Sequence, residues 1–281
     1  MISRLPPPRA EVSAFTALDA YLRRIGYDGP CAVDHATLVG IVRAHIAAIP
    51  FENVDVLLQR RVSSALPAIY DKLVVRRRGG WCFEQNGLLG WALTALGFPV
   101  MRIGGGVMRV ERGDAAVGNH LALIVMLDRP WLVDVGFGGS LAEPIPFAEG
   151  RHDHAPFDIA LKPIGEGWWR FEEWIGGMPF SWDFRPEPAD DSRLAAHLVA
   201  LQTDPASVFV QNLVAQRRIG SVHLALRGRV LTESTPWARE KRLLMSGAEI
   251  VEVLADRFGI DVPEVATMWP SIEARHRDLF G

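Results

Sequence analysis

The residues with the clearest chemical use are Arg78-Gly79-Gly80-Trp81-Cys82-Phe83-Glu84-Gln85-Asn86, where a Gly-Gly turn delivers a cysteine onto the first turn of a predicted helix. Free N–H groups and the macrodipole at a helix N-terminus favour negative charge, so a thiolate nucleophile is stabilised there. The same position also suits a small buried hydrophobe, which is what most free cysteines are. A nucleophilic cysteine needs a base to take its proton and a third group to orient that base. His120 follows Gly118-Asn119 at the mouth of the apolar run Leu121 to Leu127, and Asp134 interrupts a second run, Trp131-Leu132-Val133. A carboxylate in such a strand is costly without a partner, and an imidazolium supplies one. Asp128-Arg129-Pro130 joins the two runs, so a hairpin brings them side by side. Cys82, His120 and Asp134 are thus the candidate catalytic residues, and their chemistry is acyl transfer through a thioester.

The elements that must position them fall into three parts. In residues 1–97, apolar spacings of three and four predict helices from Ala14 to about Gly26 and from an Asp34 cap to Pro50. Ser64 to Arg77 adds a third, and Phe83 to Leu96, ended by Gly97, a fourth. In residues 98–188 the texture turns to short Val, Ile and Leu-rich runs: Val100–Val110, Leu121–Leu127, Trp131–Val135, Phe157–Leu161 and Trp168–Trp174. These predict a twisted sheet or small barrel. Pro186–Asp191 reads as a loop between parts, and residues 189–281 as a helix near Ala206–Arg217, a strand pair around Ser221–Leu231 and a final helix from about Gly247 to Phe258.

A chain of 281 residues, 49% hydrophobic and 22% charged, has the material for a large core divided into subdomains. Its net charge of −3 supplies no basic field for nucleic acid or membrane. Two cysteines, Cys31 and Cys82, do not make a disulfide framework, and no apolar run has the length of a membrane span or signal core. A cytoplasmic location is expected. His152 and His154 lack the companions of a metal set and read as a surface loop, so no metal is expected. Gly104-Gly105-Gly106 lacks the rest of a dinucleotide fingerprint and reads as a bulge or turn. Arg76-Arg77-Arg78 reads as a solvated face, with attraction of phosphate as its functional alternative.

Several motifs in order resemble the arylamine N-acetyltransferase family: Tyr21 to Tyr27, His45 with Ile49-Pro50-Phe51-Glu52-Asn53, Arg78 to Asn86, His120 with Leu-Ala-Leu, and Leu132 to Gly138. The resemblance covers about residues 15 to 140 and is diffuse afterwards. It implies an α+β, papain-like cysteine-triad fold with an N-terminal helical bundle, a central β-barrel-like domain and a C-terminal α/β lid. It implies a ping-pong reaction in which acetyl-CoA, as co-substrate, acylates Cys82, and a small-molecule arylamine or arylhydrazine takes the acetyl group. By the same likeness, Phe51, Phe137 and Phe209 line the acceptor pocket, and the backbone at Gly136 and Gly138 approaches the pantetheine arm of the CoA thioester. His45, Glu52 and Asn53 belong to a motif read as structural. The family's Asn followed by a Ser-Thr-x-Pro motif survives only in part over Leu198 to Phe209. Two rival reactions use the same nucleophile: amide synthesis with a long acyl chain from a carrier protein, and hydrolysis.

Overall fold

The computed structural model describes residues 14–175 and 179–280. Helices α1 (Ala14–Ile25) and α2 (His35–Ala48) form where the apolar spacing predicts them, and Leu18, Tyr21 and Ile25 share one core with Leu38, Ile41 and Val42. Asp34 caps α2, its carboxylate accepting from Thr37 N at 2.8 Å. A two-residue strand β1 (Phe51–Glu52), a single turn α3 (Val54–Leu57) and α4 (Leu66–Tyr70) follow, α4 widening into a π-helical segment over Asp71–Val75. Helix α5 (Cys82–Ala95) then starts on the cysteine itself.

Strands β2 (Val100–Val107) and β3 (Val117–Met126) enclose a short helix α6 (Arg109–Arg112), and β4 (Pro130–Val133) returns beside β3 with Val133 opposite Leu123. With β5 (Ile145–Pro146), β6 (Gly150–His154), β7 (Phe157–Gly165), β8 (Trp168–Trp174) and β9 (Phe180–Phe184) they make a barrel-like antiparallel sheet ordered β5-β4-β3-β2-β9-β8-β7-β6. Strand β3 is buried on both sides: Ala122 and Ile124 join the core of this sheet, and Leu123 and Val125 join the core shared with the helices. That double burial is why its sequence is an unbroken apolar run rather than an alternation. The register of β2 against β3 shifts between Gly105 and Gly106, the bulge expected of the glycine triplet.

The last third holds α7 (Asp191–Thr203), α8 (Val208–Gln211), strands β10 (Val214–Ile219), β11 (Val222–Arg227), β12 (Val230–Ser234) and β13 (Arg239–Leu243), and helices α9 (Gly247–Val253) and α10 (Trp269–Phe280). Its sheet runs β1-β10-β11-β12-β13, so a strand from the first third forms one edge, with Phe51 opposite Gln216.

Two expectations are corrected here. The helix placed over Ala206–Arg217 is a single turn followed by β10, because Leu213, Val214 and Ala215 are all drawn into the core. The long helix of this part is α7, capped by Asp190, which buries only Leu194 and Leu198 and so has a faint apolar stripe. His152 and His154 lie on β6 rather than on a surface loop. His154 is buried, its Nδ1 accepting from Ala142 N at 2.8 Å. Among the described residues no group of His, Cys, Asp and Glu is placed to hold a metal, and no helix is long and apolar enough to cross a membrane.

Candidate active site

The turn before Cys82 is set from behind by a buried relay. Tyr21 Oη bonds His45 Nδ1 at 2.8 Å, His45 Nε2 faces Gln85 Oε1 at 3.3 Å, and Gln85 Nε2 donates to Gly80 O at 2.9 Å. Burial pushes His45 down to about 3, so the ring is neutral and Tyr21 donates to its Nδ1. This gives His45 the structural role its motif suggests. Glu84, three positions into the turn, reaches back to accept from Trp81 N at 3.2 Å, satisfying a free N–H at the start of α5.

Beneath that turn lies a charge cluster. Lys72 Nζ is 3.0 Å from Glu84 and 3.2 Å from Asp55, while Arg78 Nη2 is 2.7 Å from Glu52 and 3.4 Å from Asp55. Three carboxylates face two cations. Burial raises Glu84 to about 7, with Lys72 opposing the rise. Arg78 is therefore a buried ion-pair residue, not the solvated side chain its tribasic run suggests.

His120 on β3 and Asp134 just beyond β4 meet across the hairpin: Nε2 of the imidazole donates to Asp134 Oδ2 at 2.7 Å, both residues buried. With Nε2 taken up by Asp134, Nδ1 is the ring nitrogen left for the thiol. Cys82 is close enough to that ring to act on its protonation. Burial alone would lower the imidazole. The charge and hydrogen bond of Asp134, with Cys82 adding to them, overcome it and hold His120 up at about 10.

Asn86 joins the two halves of the site. One helical turn beyond Cys82, its Nδ2 donates to Asp134 Oδ1 at 2.8 Å and to Leu121 O at 2.6 Å, and its Oδ1 accepts from Val135 N at 3.1 Å. Gly136 N also donates to Asp134 Oδ1, at 2.8 Å. The carboxylate is thus fixed by two donors on one oxygen and the imidazole on the other. The i, i+4 spacing of Cys82 and Asn86 on one helix face is a signal the sequence carries, yet an asparagine on a helix has too many ordinary uses to be singled out.

Aromatic rings flank the thiol and imidazole on two sides. Phe51 and Phe209 stand 6.1 Å apart, Phe209 packs edge-on to Trp81 at 5.6 Å, and Cys82 belongs to the same cluster. Phe137 lies 5.0 Å from His120, edge to face, and Trp182 contacts the same imidazole at 4.9 Å. Trp182 was not among the sequence candidates. It reaches His120 because Gly105 lacks a Cβ, which would lie 2.7 Å from the indole. Gly136 sits on the backbone of Cys82, where a Cβ would come within 2.5 Å of Cys82 Cα, and Gly138 (φ +84°) lies against Gln216. Both glycines are thus required by contacts within the chain. Asn53 ties this region to the C-terminal sheet, donating to Phe209 O at 2.7 Å and accepting from Val214 N at 2.7 Å.

A helix-borne thiol beside an imidazole oriented by a strand-borne carboxylate, on a helical part joined to a barrel-like sheet, is the architecture of the papain-like cysteine-triad class. Comparison with known proteins narrows the class. A family model described as N-acetyltransferase matches residues 34–267. The arylamine N-acetyltransferase of Mycolicibacterium smegmatis is 36% identical over 266 residues, spanning 89% of this chain and 94% of that one, and that of Mycobacterium tuberculosis is 33% identical over 88% and 90%. The structure of Mycobacterium marinum arylamine N-acetyltransferase in complex with CoA superposes with a TM-score of 0.82 at 33% identity, covering 92% of this chain and 97% of that one. The chain belongs to the arylamine N-acetyltransferase family and is an acyltransferase.

Proposed function

We propose that this enzyme carries an acetyl group from acetyl-CoA to arylamines or arylhydrazines in two steps, through a thioester on Cys82. The observation that carries the reading is the buried His120, bonded to Asp134 through Nε2 and raised in pKa by Asp134 together with Cys82. In the first step the Cys82 thiolate attacks the acetyl carbonyl carbon, the tetrahedral adduct expels CoA thiolate, and His120 returns the proton that the leaving sulfur takes up. In the second step the acceptor nitrogen attacks the acetyl-Cys82 carbonyl, its surplus proton passes to His120, and the Cys82 thiolate leaves. Exchange between two thioesters is nearly isoenergetic, so the acyl group is held in reactive form between steps. Phe51 and Phe209 on one side and Phe137 on the other supply apolar walls for an aromatic acceptor. Gly136 lets the backbone run close to Cys82, and we place the narrow thioester arm along the backbone from Gly136 to Gly138.

The test is intact-protein mass after mixing with acetyl-CoA and no acceptor, beside Cys82→Ala. One acetyl group is expected on the wild type and none on the variant, and an added arylamine should discharge it. A folded enzyme that stays unmodified by acetyl-CoA but loads a long acyl chain from a carrier protein would overturn the donor assignment.

A further inference from the structure

On the inner face of the barrel-like sheet, Glu173 stands out as a carboxyl among hydrophobic side chains. It follows Phe171 by two positions on β8 and so shares that residue's inward face. Its cross-strand neighbours are Ile159, fully buried on β7, and Phe180 on β9. Phe180 stacks on Phe137 at 5.6 Å with the rings 12° from parallel, and Phe137 covers the imidazole of His120. Among the described residues, Glu173 Oε2 is sealed from solvent without a hydrogen-bond partner, and Ser140 Oγ is buried in the same condition. The two belong together: the Ser140 hydroxyl is near enough to favour the ionised form of Glu173, though no well-formed hydrogen bond links them. Two neighbouring unpaired polar groups in an apolar wall are expensive unless something satisfies them.

We propose that Glu173, with Ser140, reads the acceptor, selecting arylamines that carry a carboxamide-like group able both to donate and to accept a hydrogen bond. The proposal rests on the acetyl-transfer reading above. A neutral carboxyl matches a carboxamide with two opposed hydrogen bonds, one given and one taken, while the serine hydroxyl can serve either atom. Burial raises the Glu173 carboxyl to about 8, against the pull of Ser140 and with the charge of Asp134 adding to the rise. Burial thus favours the neutral carboxyl, the form that can donate, with the charges of His120 and Arg227 opposing it. A site built to hydrogen-bond such a group discriminates strongly against acceptors that lack it, because its own polar atoms are then left unpaired.

The test uses enzyme already acetylated on Cys82 and measures its discharge by 3- and 4-aminobenzamide against the matching toluidines. A ratio of two acceptors on one preparation is insensitive to any loss of folded protein. The wild type should prefer one aminobenzamide over its toluidine, Glu173→Leu should shrink that preference about tenfold or more, and Glu173→Gln should keep most of it. An equal preference in wild type and Glu173→Leu would overturn the assignment while leaving acetyl transfer intact. Wild type that never acquires the acetyl group would instead sink acetyl transfer itself, and this assignment with it.

Discussion

Asp134 holds one ring proton of His120 in place, and replacing it separates orientation from mere packing. Asp134→Asn keeps the shape but presents an amide that favours the wrong imidazole tautomer. Acetyl loading of Cys82 should fall about 10³ to 10⁴-fold, read by rapid-quench mass measurement. A loss under tenfold would mean that the carboxylate is only structural. The histidines also give stability opposite pH dependences at the two ends of the scale. His120 is held at about 10, above the ~6.5 of a free histidine, so its contribution is complete below ~6.5 and is lost as pH rises through about 10. His45 is pushed down to about 3, so its contribution is present above ~6.5 and is lost as pH falls towards about 3. Urea midpoints should decline on both limbs, with His120→Gln flattening the alkaline one and His45→Gln the acid one. Unchanged limbs in the variants would refute these assignments. Cys82, His120 and Asp134 were readable as residue types in telling positions. Asn86, Ser140, Trp182 and Glu173 were not, because each matters only through a neighbour that the fold supplies.

Among the elements, helix α5 and the β3–β4 hairpin must touch for thiol and imidazole to meet, and just beyond the hairpin Gly136 packs on the backbone of Cys82. Gly136→Ala would put a methyl group 2.5 Å from Cys82 Cα and 2.6 Å from Asn86 Nδ2. Backbone has to yield, so a loss of about 1–3 kcal/mol is expected by urea denaturation. Slower acetyl loading of the protein that remains folded should accompany it. A variant as stable as wild type would show that the contact is looser than described. The first helix is legible from its strong apolar period, and α2, the nucleophile helix and the hairpin from their apolar content and their Pro or Gly stops. Helix α10 was missed because only Ile272 is buried along it. Strand β10 reads as helix because three adjacent apolar residues carry no period that separates the two forms.

For the molecule as a whole, the buried charges behind the nucleophile are as consequential as the cores. Arg78→Met would leave Glu52 and Asp55 with Lys72 as their main counter-charge in an interior that does not solvate them. A loss of about 3–5 kcal/mol is expected from chemical denaturation. A loss below about 1 kcal/mol would place that cluster in effective contact with water. The larger consequence lies in β1. Its two residues form one edge of a sheet whose other four strands come from the far end of the chain, and Asn53 is bonded there too. Pairings so distant in sequence close late, since the intervening chain must first be brought together. During synthesis β1 leaves the ribosome long before β10, the strand it pairs with. The growing protein thus holds Cys82, His120 and Asp134 before Phe209 exists to pack against Phe51 and Trp81, so the rings around the reactive sulfur are completed only after the triad residues have emerged.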